Sequence, residues 1–489
     1  MTASPEARYR EFVARYPAYL ATAELDALRA RELARLDRDG QVYLDSTGGS
    51  LYAESQVRGH ADLLLRRVLG NPHSQNPASA ASTELVESCR RRVLEFFNAP
   101  PEEYVAVFTA NASQALKLVG ESYPFAAGDR FLLTFDNHNS VNGIREFDRA
   151  RGAETTYVPV LPPDLRVDEA VLERELARTR PGHRHLFAYP AQSNFSGVQH
   201  PLEWIERAHG HGWDVLLDAA AFVPTNRLDL DRHKPDFVAL SFYKIFGYPT
   251  GVGALLARRA ALSRLHRPWF AGGTISVASV QADRHALADG EAAFEDGTLD
   301  YASIPAVALG LDLVASIGVE RVHERVLSLA GWLIDELVAM RHSSGLPVVK
   351  IYGPTTTEAR GGTVTMNFFD PEGRFVDHAL IEARAARRRI SLRTGCFCNP
   401  GAGEMALGIE KSEIVTCFRR SGGHLTYEDF RRCIDGKSTG AVRVSVGWVS
   451  NFADLEAFLD FARGLIDRPA RELLAEEPGP AAEPARSTA

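Results

Sequence analysis

Two neighbouring stretches decide the fold: Trp213-Asp-Val-Leu-Leu-Asp218-Ala-Ala-Ala221 and Asp236-Phe-Val-Ala-Leu-Ser241-Phe-Tyr-Lys244-Ile-Phe-Gly247-Tyr-Pro-Thr-Gly251. Each is a short apolar run that ends in one ionisable side chain, Asp218 in the first and Lys244 in the second. A strand buried on both faces reads as such an unbroken run, and in open parallel sheets ligands gather at the carboxyl ends of the strands. The pair therefore predicts two buried strands that bring a carboxylate and an amine to one edge of a sheet.

The surrounding rhythm extends this reading. Helical spacing of Leu85, Val86, Val93, Leu94, Phe96 and Phe97 marks a helix over 83–98. Strands are then expected at 104–108, 130–134, 156–160 and 185–189, alternating with helices at 113–122, 140–151, about 168–179 and from Pro201. Such alternation specifies an α/β domain with a mainly parallel sheet covered by helices on both faces. A long helical stretch, 304–340, leads into a different pattern: strands at 363–367 and 441–445 with helices at 376–388 and 451–466. That predicts a smaller α+β domain, with the N-terminal helical segment 5–37 packed alongside. The expected division is 1–40, 41–300, 301–470 and a tail, 471–489, whose Pro, Ala, Glu and Ser content predicts disorder.

Composition narrows the function. A chain of 489 residues, 45% hydrophobic, can bury a large core. A net charge of -8 without a dense basic run argues against a nucleic-acid footprint. The first ten residues are polar, and the most apolar stretch, 304–319, is broken by Pro305, Asp312 and Gly318, so neither a signal core nor a membrane span is expected. Five cysteines are too few for a disulfide framework, which suits a reducing cytoplasm.

Further candidate groups lie at strand ends, in turns and, for Arg443, within the strand 441–446. Thr109-Ala110-Asn111-Ala112-Ser113-Gln114 offers small residues and a hydroxyl at a helix start, which suits either a phosphate or a plain N-cap. His138, in Asp136-Asn137-His138-Asn139-Ser140, can stack on an aromatic ring and relay a proton, or be a polar loop residue. Asn194, in Ser193-Asn194-Phe195-Ser196-Gly197, places an amide at the same edge, or simply makes a turn. Arg443 suits a carboxylate, although most arginines are surface groups. Ala271-Gly-Gly-Thr274 holds further small-residue donors. Together with Lys244 and Asp218 these match the needs of pyridoxal phosphate: a lysine for its aldehyde, as a Schiff base, and a carboxylate to keep its ring nitrogen protonated.

Leu392-Arg393-Thr394-Gly395-Cys396-Phe397-Cys398-Asn399-Pro400-Gly401-Ala402 is a loop by its Gly and Pro content. A thiolate there, with its pKa lowered by Arg393, could attack sulfur on an activated substrate. Inert thiols are the alternative, as is a metal site with Cys417, His424 and Cys433, whose spacing is looser than metal sites show.

With these residues in view, the chain resembles class V pyridoxal-phosphate enzymes of the aspartate-aminotransferase fold (fold type I), and most closely the cysteine-desulfurase domain of molybdenum cofactor sulfurases. Val42-Tyr-Leu-Asp45, Gly70-Asn-Pro-His73-Ser-Gln75, the stretch 241–251 and the stretch 393–401 carry the likeness, which covers roughly residues 40–468. The resemblance implies that Lys244 is the Schiff-base lysine, Asp218 the pyridinium partner, His138 the stacking histidine and Asn194 the O3′ contact. Asn111, Ala112, Ser113, Ser241 and Tyr243 fall at the phosphate, and Thr274 matches a phosphate contact given by a neighbouring subunit, which implies a homodimer. Arg443 matches the arginine for the substrate carboxylate, and Cys398 the persulfide-forming cysteine, with Cys396 as its companion.

Departures are also visible: Gly403 replaces a third cysteine, Tyr243 the usual phosphate-binding His, Ala221 a common Gln, and Ser46-Thr47-Gly48 the usual His-Ala-Gly. A counterpart of the C-terminal module of eukaryotic sulfurases is not expected, so the sulfur acceptor is expected to bind elsewhere or to belong to a partner protein, with molybdenum cofactor or another sulfur pathway as the destination. The implied activity is a cytoplasmic L-cysteine desulfurase without a metal. A transaminase, epimerase or carbon–sulfur lyase of the same class is the alternative.

Overall fold

Residues 4–420 and 440–475 are described by a computed structural model. Among them, seven strands form one central sheet in the order Tyr104–Thr109, Gly253–Arg258, Phe237–Ser241, Asp214–Asp218, His185–Pro190, Arg130–Thr134 and Glu154–Val158. All run the same way except Gly253–Arg258, which is antiparallel to both of its neighbours. That strand was not anticipated as a separate element. After Ser241 the chain makes only the short helix Phe242–Phe246 and a turn, and so short a link permits an antiparallel return but not a crossover.

Successive strand residues face opposite sides of the sheet, so Leu132 and Leu133 enter different cores. On one face Leu133, Leu216 and Leu255 meet Ala115, Leu116 and Val119 of the helix Ala112–Ser122. On the other, Leu132, Phe187 and Leu240 meet Val86 and Val93 of Pro77–Phe96 and Leu311 of Ile304–Ile317.

Three expected elements divide, each at a residue that explains it. The helix over 140–151 is two pieces, Asn139–Asn142 and Arg145–Ala150, with Gly143 between them. The strand expected at 156–160 is Glu154–Val158 and stops before Pro159, which has no N–H to give a ladder. The stretch 304–340 is Ile304–Ile317 followed by Val319–Ala339, broken at Gly318 with φ 87°.

The smaller unit has an antiparallel sheet, Val349–Tyr352, Thr363–Phe369, Ala441–Ser445 and Arg393–Gly395. Its core is shared with Val319–Ala339, Phe452–Arg463 and the N-terminal helix Pro5–Arg15. Phe12 stacks on Phe452 at 4.9 Å and meets Trp332 edge-on at 5.7 Å. Buried Arg325 ties the N-terminal segment down through Asp26 and the carbonyl of Thr22. The strand Val42–Tyr43 pairs with Ile390–Ser391, and Asp45 then forms a bridge to Ser445. At the far end Ala470–Ala475 is helical and buries Leu473 in this core, so residues 471–475 do not join the expected disordered tail. The remainder of that tail, 476–489, lies outside the described residues.

Candidate active site

Because the parallel strands share one direction, their carboxyl ends deliver Asn111, His138, Asn194, Asp218 and Ser241 to the same edge. There they line a cleft of about 360 Å³ together with Ala112, Ser113, Tyr243 and Lys244. One end of it suits a phosphate. Asn111 caps the helix Ala112–Ser122 by accepting from the N–H of Gln114 at 3.0 Å. The Ala112 N–H donates to Ser241 Oγ at 2.8 Å, and Ser113 Oγ lies 2.6 Å from Ser140 Oγ. A Cβ on Gly253 would sit 2.6 Å from Asn111 Cα, so only glycine lets the turn approach the sheet this closely. Hydroxyls at a helix N-terminus favour an anion through the dipole and free N–H groups.

The other end holds the titratable groups. Asp218 is buried and accepts from the Ala220 N–H at 3.0 Å. Burial lowers the pKa of Lys244, with Asp218 pulling in the opposite direction and Arg443 and Arg393 adding to the fall. Lys244 is half-buried and lines the cleft, and desolvation is the largest influence on its amine. Burial likewise lowers the pKa of His138, opposed by Asp218. The Ser140 N–H donates to His138 Nδ1 at 3.1 Å, so the neutral ring carries its proton on Nε2.

The cysteine loop docks beside the cleft, on Asn139 and Asn194. Asn139 N–H donates to the Cys398 carbonyl at 2.7 Å, and Asn194 Nδ2 to that of Phe397 at 2.8 Å. Asn399 Nδ2 donates to the Asp136 carbonyl at 2.6 Å and to Asn194 Oδ1 at 2.9 Å. These bonds hold Phe397 and Cys398 both at φ 55°, a left-handed conformation that costs a non-glycine residue about 1–2 kcal/mol. Cys396, Cys398 and buried Cys89 are free thiols.

Both arginines expected near the cysteine loop are engaged by Asp45. Arg393 does not turn to the thiols: its guanidinium grips Asp45, with Nη2 2.6 Å from Oδ2. Arg443 does not line the cleft. Its side chain is walled in by Asp45, by the Asn194 carbonyl, which accepts from Nη1 at 3.0 Å, and by the Phe397 ring, 4.7 Å away. Cys398 and Thr274 are also absent from the cleft wall. Thr274 is buried, with its hydroxyl on the Ala271 carbonyl.

Gln192 and Thr250, neither assigned a role in the sequence, do line the cleft. Thr250 stood in the quoted stretch, and Gln192 follows the strand His185–Pro190 closely enough that its place at the sheet edge was the available signal. Asp45 was quoted for its motif, but its contact to Arg443 depends on long-range pairing. Among the described residues no His, Cys, Asp and Glu cluster could hold a metal, and His424 and Cys433 of the metal alternative lie outside them. The donor set fits pyridoxal phosphate: an anion cradle, an amine whose neutral form burial favours, a buried carboxylate and an imidazole lining the same cleft.

The chain belongs to the aminotransferase class-V family, whose model matches residues 42–458. It is similar to the molybdenum cofactor sulfurase of Homo sapiens, 39% identical over 460 residues, which cover 89% of this chain and 51% of that protein. The molybdenum cofactor sulfurase of Arabidopsis thaliana is 37% identical, over 93% of this chain and 60% of that one. The chain thus spans only half to three fifths of the length of these curated relatives. Among solved structures, the apo cysteine desulfurase of Thermococcus onnurineus superposes with a TM-score of 0.73 at 23% identity, covering 90% of this chain and 98% of that one. The cystine C-S lyase C-DES, in complex with its product cysteine persulfide, gives 0.66 at 19% identity, over 87% and 98%. At these identities the superpositions establish the shared fold, and pyridoxal phosphate is the cofactor of this class.

Proposed function

We propose that the chain is a pyridoxal-phosphate-dependent L-cysteine desulfurase that leaves its sulfur on Cys398 as a persulfide. The observation that carries this reading is the docking of the Cys398 loop, through the Asn139 N–H, onto the helix that follows His138, beside a cleft holding Lys244 and Asp218. Lys244 would hold the cofactor's aldehyde carbon, Asp218 its ring nitrogen, His138 its ring face, Asn194 its O3′, and Ser113 and Ser241 its phosphate. When bound, the cofactor supplies an electron sink for charge developing at the substrate Cα.

The protein's own groups do the rest. Arg443 anchors the substrate carboxylate. Lys244, kept readily neutral by burial, takes the proton from the substrate Cα and returns it when alanine forms. The His138 Nε2 side faces the reaction as a proton relay. The Cys398 thiolate attacks the substrate sulfur: the Cβ–S bond breaks, an S–S bond forms on Cys398, and Cβ keeps the electron pair and gains a proton. The products are alanine and a protein persulfide.

A homodimer with shared sites suits the exposed apolar residues Trp269, Phe270, Val277 and Val280 on and around the hairpin after Thr274. Similarity to molybdenum cofactor sulfurases supports that cofactor as one acceptor of the sulfur. Among the described residues no helix is long and apolar enough to cross a membrane, and a cytoplasmic setting is part of this reading. So is a division near residues 40, 300 and 470.

Because Cys398 does not line the cleft, a class V reaction that needs no thiol (transamination, epimerisation or carbon–sulfur lysis) is the second reading. The cofactor-loaded protein is incubated with L-cysteine, alanine is assayed, and the peptide containing Cys396 and Cys398 is weighed. Alanine with one added sulfur on Cys398 supports the proposal. A Cys398→Ala variant that turns over at the full rate contradicts it and favours the second reading.

A further inference from the structure

Asp45 has no part in the reaction proposed above, yet it sits between the two arginines nearest the substrate end. Its Oδ1 accepts from Arg443 Nη2 at 3.0 Å, and its Oδ2 from Arg393 Nε at 2.9 Å and Nη2 at 2.6 Å. The placement is built into the chain. Asp45 bridges to Ser445, Thr47 N–H donates to Ser445 Oγ, and both contacts hold the carboxylate beside the strand that carries Arg443. A Cβ on Gly48 would lie 2.4 Å from Asp45 Oδ2 and 2.8 Å from Arg393 Nη2, so a side chain there would push on the carboxylate and the guanidinium that it holds.

The charge count is uneven. Among the described residues Asp45 is the sole carboxylate paired with Arg443 or Arg393, so two guanidinium groups share one anion. Arg443 is 2% exposed, and its Nε is buried without a hydrogen-bond partner. A buried, always-charged guanidinium with an idle donor is short of one acceptor. Arg443 is already engaged: Asp45 accepts from its Nη2 and the Phe397 ring lies 4.7 Å from its guanidinium. Arg393 differs. Half of its side chain is exposed, and it begins the loop that leads to Cys398.

We propose that Asp45 is a resident carboxylate that occupies Arg443 until the α-carboxylate of an amino-acid substrate replaces it, after which Asp45 remains on Arg393. This rests on the reading of Arg443 as the substrate-carboxylate group. Substrate affinity is then set by competition between two carboxylates for one guanidinium. Because Asp45 keeps its hold on Arg393, that competition also reaches the base of the cysteine loop, making Asp45 a positioning residue for Cys398.

The test uses L-alanine, which carries the carboxylate but no sulfur, titrated calorimetrically into the cofactor-loaded protein. Asp45→Asn removes the competitor's charge, so alanine should bind about fivefold or more tighter. Arg393→Gln leaves Asp45 to Arg443 alone, so alanine should bind more weakly by a similar factor. Asp45→Asn is also expected to lower kcat for L-cysteine while lowering KM, a split that a merely structural role does not produce. Weaker binding in both variants, or no change in either, overturns the proposal. Should Asp45→Asn fail to fold, the sign of the Arg393→Gln effect decides alone: tighter or unchanged binding overturns it. A wild-type protein that binds neither L-alanine nor L-cysteine overturns the proposed activity itself, and this inference with it.

Discussion

Asn194 donates from Nδ2 to the carbonyl of Phe397 at 2.8 Å and accepts at Oδ1 from Asn399 Nδ2 at 2.9 Å. One side chain at the edge of the large sheet thus holds both ends of the short segment that carries Cys398. The loop is docked by backbone and amide bonds, and not by its thiols.

Removing the other half of this clasp should free the loop. Asn399 is fully buried, caps the helix Pro400–Leu407 and ties the loop to the Asp136 carbonyl. Asn399→Ala is expected to cost about 1–2 kcal/mol through the lost cap and the unpaired buried groups. Amide exchange across residues 393–399 should quicken, and kcat should fall more than KM rises.

Asp218→Asn keeps the shape of the side chain and its acceptor for the Ala220 N–H but removes the charge. Cofactor affinity should drop about tenfold or more, equivalent to about 1.4 kcal/mol. Retention of visible cofactor absorbance through dialysis measures it.

Lys244 sets a pH signature. Condensation with an aldehyde needs the neutral amine, and burial favours that form, bringing the pKa below the ordinary 10.5. Cofactor uptake by the apoprotein should therefore rise with pH and reach its plateau at lower pH than an exposed lysine allows. A midpoint at the ordinary lysine value would contradict this.

His138 gives the matching acid limb. Burial lowers its pKa from 6.5, so protonation demands more acid than usual. If the neutral ring is the active form, kcat/KM should stay level as pH falls through 6.5 and decline only below it. In a His138→Gln variant that limb should vanish along with most of the rate.

Stability of the smaller unit can be probed far from the chemistry. Phe12 is fully buried against Tyr19, Trp332 and Phe452. Phe12→Ala should cost about 3–5 kcal/mol, read as a lower denaturant midpoint, with the cofactor site intact in the remaining folded protein.

Much of this was legible because buried parallel strands leave a plain mark. The apolar runs ending at Asp218 and Ser241 fixed the sheet edge, and the turns after other strands supplied Asn111, His138 and Asn194 to it. Local signals failed where geometry depended on distant pairing. Nothing around Arg443 announces that Asp45, brought in by the pairing of Val42–Tyr43 with Ile390–Ser391, would hold it. Arg393 precedes Cys398 closely in sequence, yet its guanidinium goes to Asp45 for the same reason. The antiparallel strand Gly253–Arg258 leaves no separate signal in the sequence, because its apolar run follows directly on a glycine-containing turn and reads as part of it.

The most direct test of the whole account is to load the purified protein with pyridoxal phosphate, reduce it with borohydride and locate the pyridoxyl group by peptide mass spectrometry. The label is expected on Lys244 alone and should be lost in Lys244→Ala. A label on another lysine, or none in protein that remains folded, would contradict the account.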